Sequence, residues 1–173
     1  LDERQSRAGE PASPRLGRER DVEDGEATAH VARFGQFARR REREIDDHVQ
    51  YLDLLADRML QECPQAQHGQ VLGFSQGVAT AARWSMHGRT ALQRLVLWGG
   101  GLPAEMNVDR LQTAWKDKHV DLVAGQTDAI VTEEQGRQQD ALLNAAGVPH
   151  AYHVHPGGHA LDPLTLTRLL AIG

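Results

Sequence analysis

A single cysteine, Cys63, rules out an internal disulfide, so the 173-residue chain holds together without bridges and is expected in a reducing compartment, the cytoplasm. Cys63 itself reads as a small buried hydrophobe at a helix end. Aromatic residues are scarce at 5% and mean hydropathy is low at -0.52, which restricts an aliphatic core to part of the chain. No run approaches the roughly 18 apolar residues of a membrane span, and the amino terminus lacks the apolar stretch of a secretory signal, so no membrane partner is expected. An excess of positive charge is missing too. With 19 Lys and Arg against 24 Asp and Glu, the net charge of -5 offers no basic face to nucleic acid, and small neutral or ester-like substrates remain.

What is present is unevenly placed. Residues 1–47 hold 10 of the 17 arginines and 12 of the 24 acidic residues, with few large apolar side chains among them. Residues 1–40 are therefore expected to be a polar, partly irregular segment, with Arg7 to Glu26 irregular because Gly9, Pro11, Pro14, Gly17 and Gly25 punctuate it. Arg39, Arg40 and Arg41 precede Glu42, Glu44, Asp46 and Asp47, the mark of a solvated helix start. Residues 41–173 form the single folded domain.

Periodicity in that domain alternates. Ile45, Val49, Leu52, Leu55 and Met59 predict one buried face of a helix ending before Pro64. Gln70 to Phe74 is a short apolar strand, Gln76 to His87 a helix capped by Gly88, and Leu95 to Trp98 a second strand stopped by Gly99 to Gly101. A short helix carries Val108, Leu111 and Trp115, His119 to Ala124 is a third strand, and Thr132 with Gln135 opens a helix reaching Gly147. Ala151 to Val154 is a fourth strand, and Asp162 with Pro163 starts a terminal helix. Strands alternating with helices predict an α/β fold, a three-layer α/β/α sandwich around a mostly parallel sheet, with ligands at the carboxyl ends of the strands.

At the end of the first strand stands Gly73-Phe74-Ser75-Gln76-Gly77, a G-x-S-x-G where a strand turns straight into a helix. Such a turn needs small neighbours and lifts the serine hydroxyl off the sheet. A serine hydroxyl needs a histidine to take its proton and a carboxylate to fix that histidine. Asp128 lies just beyond the third strand and reaches the same sheet edge; Asp121 lies inside the strand and Asp117 before it. His159 follows a Gly-Gly turn after the last strand, with His155 as the alternative. A metal site through His153, His155 and His159 lacks a completing acid or cysteine, so no metal or organic cofactor is expected. Phe74 and Trp98 read as core rather than as walls of an acyl pocket.

Val71 to Ala79, Gly125 to Asp128 and Gly157 to His159 resemble the three catalytic segments of the carboxylesterase and phospholipase family of α/β hydrolases, which includes the acyl-protein thioesterases. The resemblance covers roughly residues 42–173, and the separations of 53 and 31 residues are similar to the family's. It implies a serine esterase acting on carboxylic, short-chain acyl esters, with Ser75 as nucleophile, Asp128 as acid, His159 as base and the backbone N–H of Gln76 in the oxyanion hole. A thioesterase, or a non-catalytic binding or assembly protein on the same fold, is the alternative.

The departure lies in front of this block. The family's opening strands and the His-Gly segment that gives the second oxyanion donor are missing before Ser75, since His68-Gly69 stands too close to the elbow. The second donor therefore has no owner in the sequence, and losing one donor costs about 100- to 1,000-fold in rate. The first strand is left with a bare parallel edge. A homodimer is expected to cover it, or strands in a longer product, since the sequence starts at Leu1; residues 1–40 folding over it are the third possibility.

Overall fold

The computed structural model describes residues 18–66 and 69–171. The chain divides between Glu42 and Arg43 into two compact units. In the first, the described residues belong to the helix α1 (Arg18–Glu62), which continues into the second. Helix from Arg18 corrects the expectation of irregular chain as far as Glu26. From Arg18 to Glu26 the stretch is rich in Arg and Glu, good helix formers, and its single glycine, Gly25, costs a helix only about 1 kcal/mol. The proline-containing part, residues 7–17, lies outside the described residues, as does His68.

The second unit carries the alternation: β1 (Gly69–Phe74), α2 (Gln76–His87), β2 (Leu92–Trp98), α3 (Val108–Trp115), β3 (His119–Gly125), α4 (Glu133–Ala145), β4 (His150–His155) and α5 (Pro163–Leu170). The strands form one sheet in the order β1-β2-β3-β4, every pair parallel, so all four carboxyl ends meet at one edge. The register sets Phe74 beside Trp98, Trp98 beside Val123, and Gly125 beside His155. The expected α/β architecture is what the chain adopts. Its helix caps are built as the sequence dictates: Thr132 and Gln135 form a reciprocal capping box, and Asp162 accepts from the N–H of Thr165 with Pro163 in the first turn.

The two sheet faces are covered unequally. On one, Leu95, Leu97, Val120 and Leu122 pack with Val49, Val78, Ala82, Leu111, Trp115 and Leu143 from α1 to α4. On the other, Val96, Trp98 and Val123 form a smaller apolar cluster with Leu169 and Leu166 of α5 and Phe74 of β1. β2 begins at Leu92, three residues before the expected start, because Gln93 and Arg94 interrupt the apolar run. Arg94 is nonetheless buried: its Nε donates to Asp121 Oδ2 at 2.8 Å and its Nη1 to the carbonyl of Leu169 at 2.8 Å, tying α5 to the sheet.

The helical face of α1 is also corrected. Val49 and Asp53 are buried, while Leu55 and Met59, expected inside, are 43% and 60% exposed. The inward stripe turns on Asp53, whose carboxylate accepts from Trp84 Nε1, Arg89 N–H, Thr90 N–H and the Thr90 hydroxyl at 2.6 to 3.1 Å. Burial alone would raise its pKa, but these four bonds outweigh it and hold the carboxyl at about 2 against an ordinary 3.8. A depressed carboxylate stabilises the fold above its unfolded pKa and loses that contribution as pH falls through its folded one. Roughly 2 kcal/mol should therefore vanish between pH 3.8 and about 2. Urea unfolding of wild type and Asp53→Asn across that range checks this: the variant should be less stable near neutrality and show a flatter loss in acid. Among the described residues no helix is long and apolar enough to cross a membrane.

Candidate active site

β1 delivers Ser75 to the sheet edge. The residue is the N-cap of α2 with φ 54° and ψ -119°, alone among the described non-glycine residues in having positive φ. Such a conformation is strained for an L residue and persists only where its surroundings enforce it. They do: Ser75 N–H donates to Trp98 O at 2.9 Å, and its carbonyl accepts from Val78 N–H at 3.1 Å. A Cβ on Gly73 would stand 2.5 Å from the carbonyl oxygen of Gly77, so the first glycine of the motif is required by the close strand–helix approach. At Gly77 a Cβ would meet open space, so the described packing makes no such demand there.

Asp128 follows β3, and its backbone turns back on its own side chain. Oδ1 accepts from the N–H groups of Ile130 and Val131 at 2.8 and 3.0 Å, leaving Oδ2 for a third donor. That donor is His159, whose Nδ1 stands 2.8 Å from Oδ2. Burial pushes the Asp128 pKa up, but the bonds from Val131, His159 and Ile130 and the nearby His159 charge prevail and hold it below the usual carboxylate value. An ionised Asp128 fixes the imidazole proton on Nδ1 and leaves Nε2 as an acceptor. Nε2 lies 2.9 Å from Ser75 Oγ. Three residues spread over 84 positions thus form one continuous chain of hydrogen bonds.

The loop bearing His159 is pinned to β3. Gln126 N–H donates to His155 O at 2.8 Å and Thr127 N–H to Gly157 O at 3.2 Å. A Cβ on Gly125 would fall 2.5 and 2.6 Å from the carbonyl oxygens of Gly158 and Gly157. Gly125→Ala should therefore displace the loop and, if His159 acts on substrate, lower turnover by roughly 100-fold, the scale of a 1 Å misplacement. Steady-state kinetics beside a thermal melt separates that loss from unfolding.

The competing residues go elsewhere. Asp121 is buried on the sheet, bonded to Arg94 and to His153 Nε2 at 2.8 Å, and Asp117 is exposed before β3. His155 is 2% exposed against Trp98, its Nδ1 accepting from Gly157 N–H at 3.2 Å. Among the described residues no group of three or more His, Cys, Asp or Glu is arranged to hold a metal ion. Trp98 is core, as expected, its Nε1 donating to Ala160 O at 3.1 Å. Phe74 is only half-buried, and its ring lies 5.0 Å from that of His159, which places it at the site.

Sequence reading missed the supports. The Asp128 turn has a signal, an aspartate followed by backbone donors two and three residues on. Gln139 of α4 has none: its Oε1 accepts from Leu102 N–H and its Nε2 donates to Gly100 O, holding the triple-glycine loop after β2. Next to Ser75, Gln76 N–H is the first amide of α2 and makes no hydrogen bond among the described residues. Among the described residues β1 is an edge strand, with no strand on its outer side.

No family model matches the sequence, and a search of curated proteins gives no match. Solved structures do match. SOBER1 of Arabidopsis thaliana superposes with a TM-score of 0.58 at 19% identity, over 73% of this chain and 61% of that one. A carboxylesterase from Bacillus cereus gives 0.57 at 20% identity, over 76% and 61%. A carboxylesterase from Mesorhizobium loti gives 0.58 at 13%, over 75% and 61%. The chain spans about three fifths of the length of these proteins. With its parallel sheet and flanking helices, the chain has an α/β fold shared with SOBER1 and the two carboxylesterase structures.

Proposed function

We propose that the chain is a serine esterase that cleaves carboxylic esters through an acyl-enzyme. The observation that carries this is the continuous Ser75–His159–Asp128 hydrogen-bond chain, 2.9 and 2.8 Å long, at the carboxyl end of the sheet. Ser75 Oγ attacks the ester carbonyl carbon as His159 Nε2 takes its proton, and Asp128 stabilises the imidazolium that results. The negative oxygen of the tetrahedral intermediate is held by Gln76 N–H. Collapse expels the alcohol, which receives the proton from His159. Water then repeats the sequence on the acyl-enzyme, releasing the carboxylic acid and restoring Ser75.

The loops at the site are short, Gln126 to Thr132 after β3 and Pro156 to Asp162 after β4, and neither forms a lid. Short loops after β3 and β4 suit short acyl groups. With Gln76 N–H as the one oxyanion donor among the described residues, turnover should be about 100- to 1,000-fold below that of a two-donor site. Hydrolysis of p-nitrophenyl esters of graded length tests both points: activity should be measurable and highest for acetate or butyrate. A rise in kcat/KM toward long chains would contradict the short-chain reading, and no turnover above that of Ser75→Ala would contradict the esterase. Thioester substrates share every step but the leaving group.

A further inference from the structure

One buried histidine has no place in the triad. His155 is 2% exposed, and its ring lies against that of Trp98, the centroids 5.3 Å apart. Its backbone is fixed as well: as the last residue of β4 it pairs with Gly125, and its carbonyl accepts from Gln126 N–H at 2.8 Å. Nδ1 accepts from Gly157 N–H at 3.2 Å. A backbone amide can only donate, so Nδ1 carries no proton and the neutral ring holds its hydrogen on Nε2. Among the described residues Nε2 has no hydrogen-bond partner. A buried donor without a partner lowers stability, and an apolar side chain of similar volume would fill the place without that cost. What the imidazole adds here is the acceptor at Nδ1.

We infer that His155 is a positioning residue that sets where His159 stands relative to Ser75, an inference that rests on the esterase reading above and deepens it. The loop after β4 is held on both sides of His159 by two buried rings that touch each other. Before His159, the His155 ring takes the amide of Gly157, whose carbonyl in turn accepts from Thr127 N–H at 3.2 Å. After it, Trp98 Nε1 donates to Ala160 O at 3.1 Å, and Ala160 N–H closes a turn on Gly158 O at 2.9 Å. Ring and loop fit closely, since a Cβ on Gly157 would stand 3.1 and 3.2 Å from Nδ1 and Cε1 of His155. Gly157 is half-buried, so its amide, deprived of Nδ1, turns to solvent rather than stay unpaired, and carries the loop with it. His159 lies two residues on, its Nδ1 2.8 Å from Asp128 Oδ2 and its Nε2 2.9 Å from Ser75 Oγ, and a shift of about 1 Å takes both beyond hydrogen-bond range.

His155→Leu and His155→Asn, assayed with p-nitrophenyl acetate and followed by proton NMR, test this. Leu fills the space without an acceptor, whereas Asn places its Oδ1 where Nδ1 stands. His155→Leu should keep the circular dichroism and melting midpoint of wild type, lower kcat by roughly 100-fold with KM little changed, and lose the downfield resonance of the His159 Nδ1 proton shared with Asp128. His155→Asn should win back most of the kcat and the resonance. Long-range proton–nitrogen spectra of wild type should show His155 Nδ1 unprotonated, a readout that needs no variant to fold. Turnover by wild type bears on the esterase reading alone, while the resonance reports on His155 whether or not an ester is cleaved. Wild-type kcat and resonance in His155→Leu, a His155→Asn no better than His155→Leu, or a proton on His155 Nδ1 in the neutral ring would overturn the inference.

Discussion

Ser75→Ala should lower kcat for a p-nitrophenyl ester by about 10,000-fold or more without altering the unfolding midpoint. The hydroxyl contributes one long-range hydrogen bond, to His159 Nε2, and the elbow that holds it is fixed by backbone bonds to Trp98 and Val78 that alanine retains. The φ of 54° is equally strained for serine and alanine, so the loss is one of chemistry rather than fold. Asp128→Asn should cost about 10,000-fold as well, since an amide that has kept the Ile130 and Val131 bonds presents its NH2 to His159 and reverses the imidazole tautomer. Stopped assays at enzyme concentrations high enough to detect the residual rate, paired with denaturation curves, decide both.

Arg94→Leu carries the largest expected loss of stability, about 3 to 5 kcal/mol out of the 5 to 15 typical of a domain. Arg94 and Asp121 lie buried on neighbouring strands, and Asp121 is held below its ordinary pKa because the bonds from His153 and Arg94 and the charges of Arg94 and His119 outweigh its burial. Removing the guanidinium leaves that carboxylate without its main partner and the Leu169 carbonyl without its donor. Arg94→Leu with Asp121→Leu should recover a good part of the loss, because an apolar pair of similar volume needs no desolvation. Urea denaturation of the two variants measures the difference. Equal stability of Arg94→Leu and wild type would show that the pair contributes nothing net.

The distribution of what could be read from sequence follows from how each residue acts. Elements whose signal is local were legible: the capping box at Thr132, the Asp162-Pro163 start of α5, and the apolar runs of β1 and β3 all encode their structure within a few residues. The spatial meeting of Ser75, Asp128 and His159 was legible because each ends or follows a parallel strand, and parallel strands bring their carboxyl ends together. Arg94 and Asp53 were not. Each breaks an apolar pattern, and its burial becomes intelligible only once Asp121 in one case, and Trp84 with the turn at Thr90 in the other, stand beside it. The inward side of α1 was misread for the same reason: the helix carries two apolar stripes, and Asp53 decides which faces the core. Gln139 acts through backbone 37 and 39 residues away, a pairing that no local pattern encodes.

The central claim is that Ser75 becomes a nucleophile when His159 takes its proton. Intact-mass spectrometry after incubation with a fluorophosphonate tests it most directly, because the probe forms a stable bond with such a serine whatever the acyl preference. The account predicts one adduct per chain, mapped to the peptide containing Ser75, absent in Ser75→Ala and formed far more slowly in His159→Ala. An unlabelled wild type, or an adduct that persists in Ser75→Ala, would contradict it.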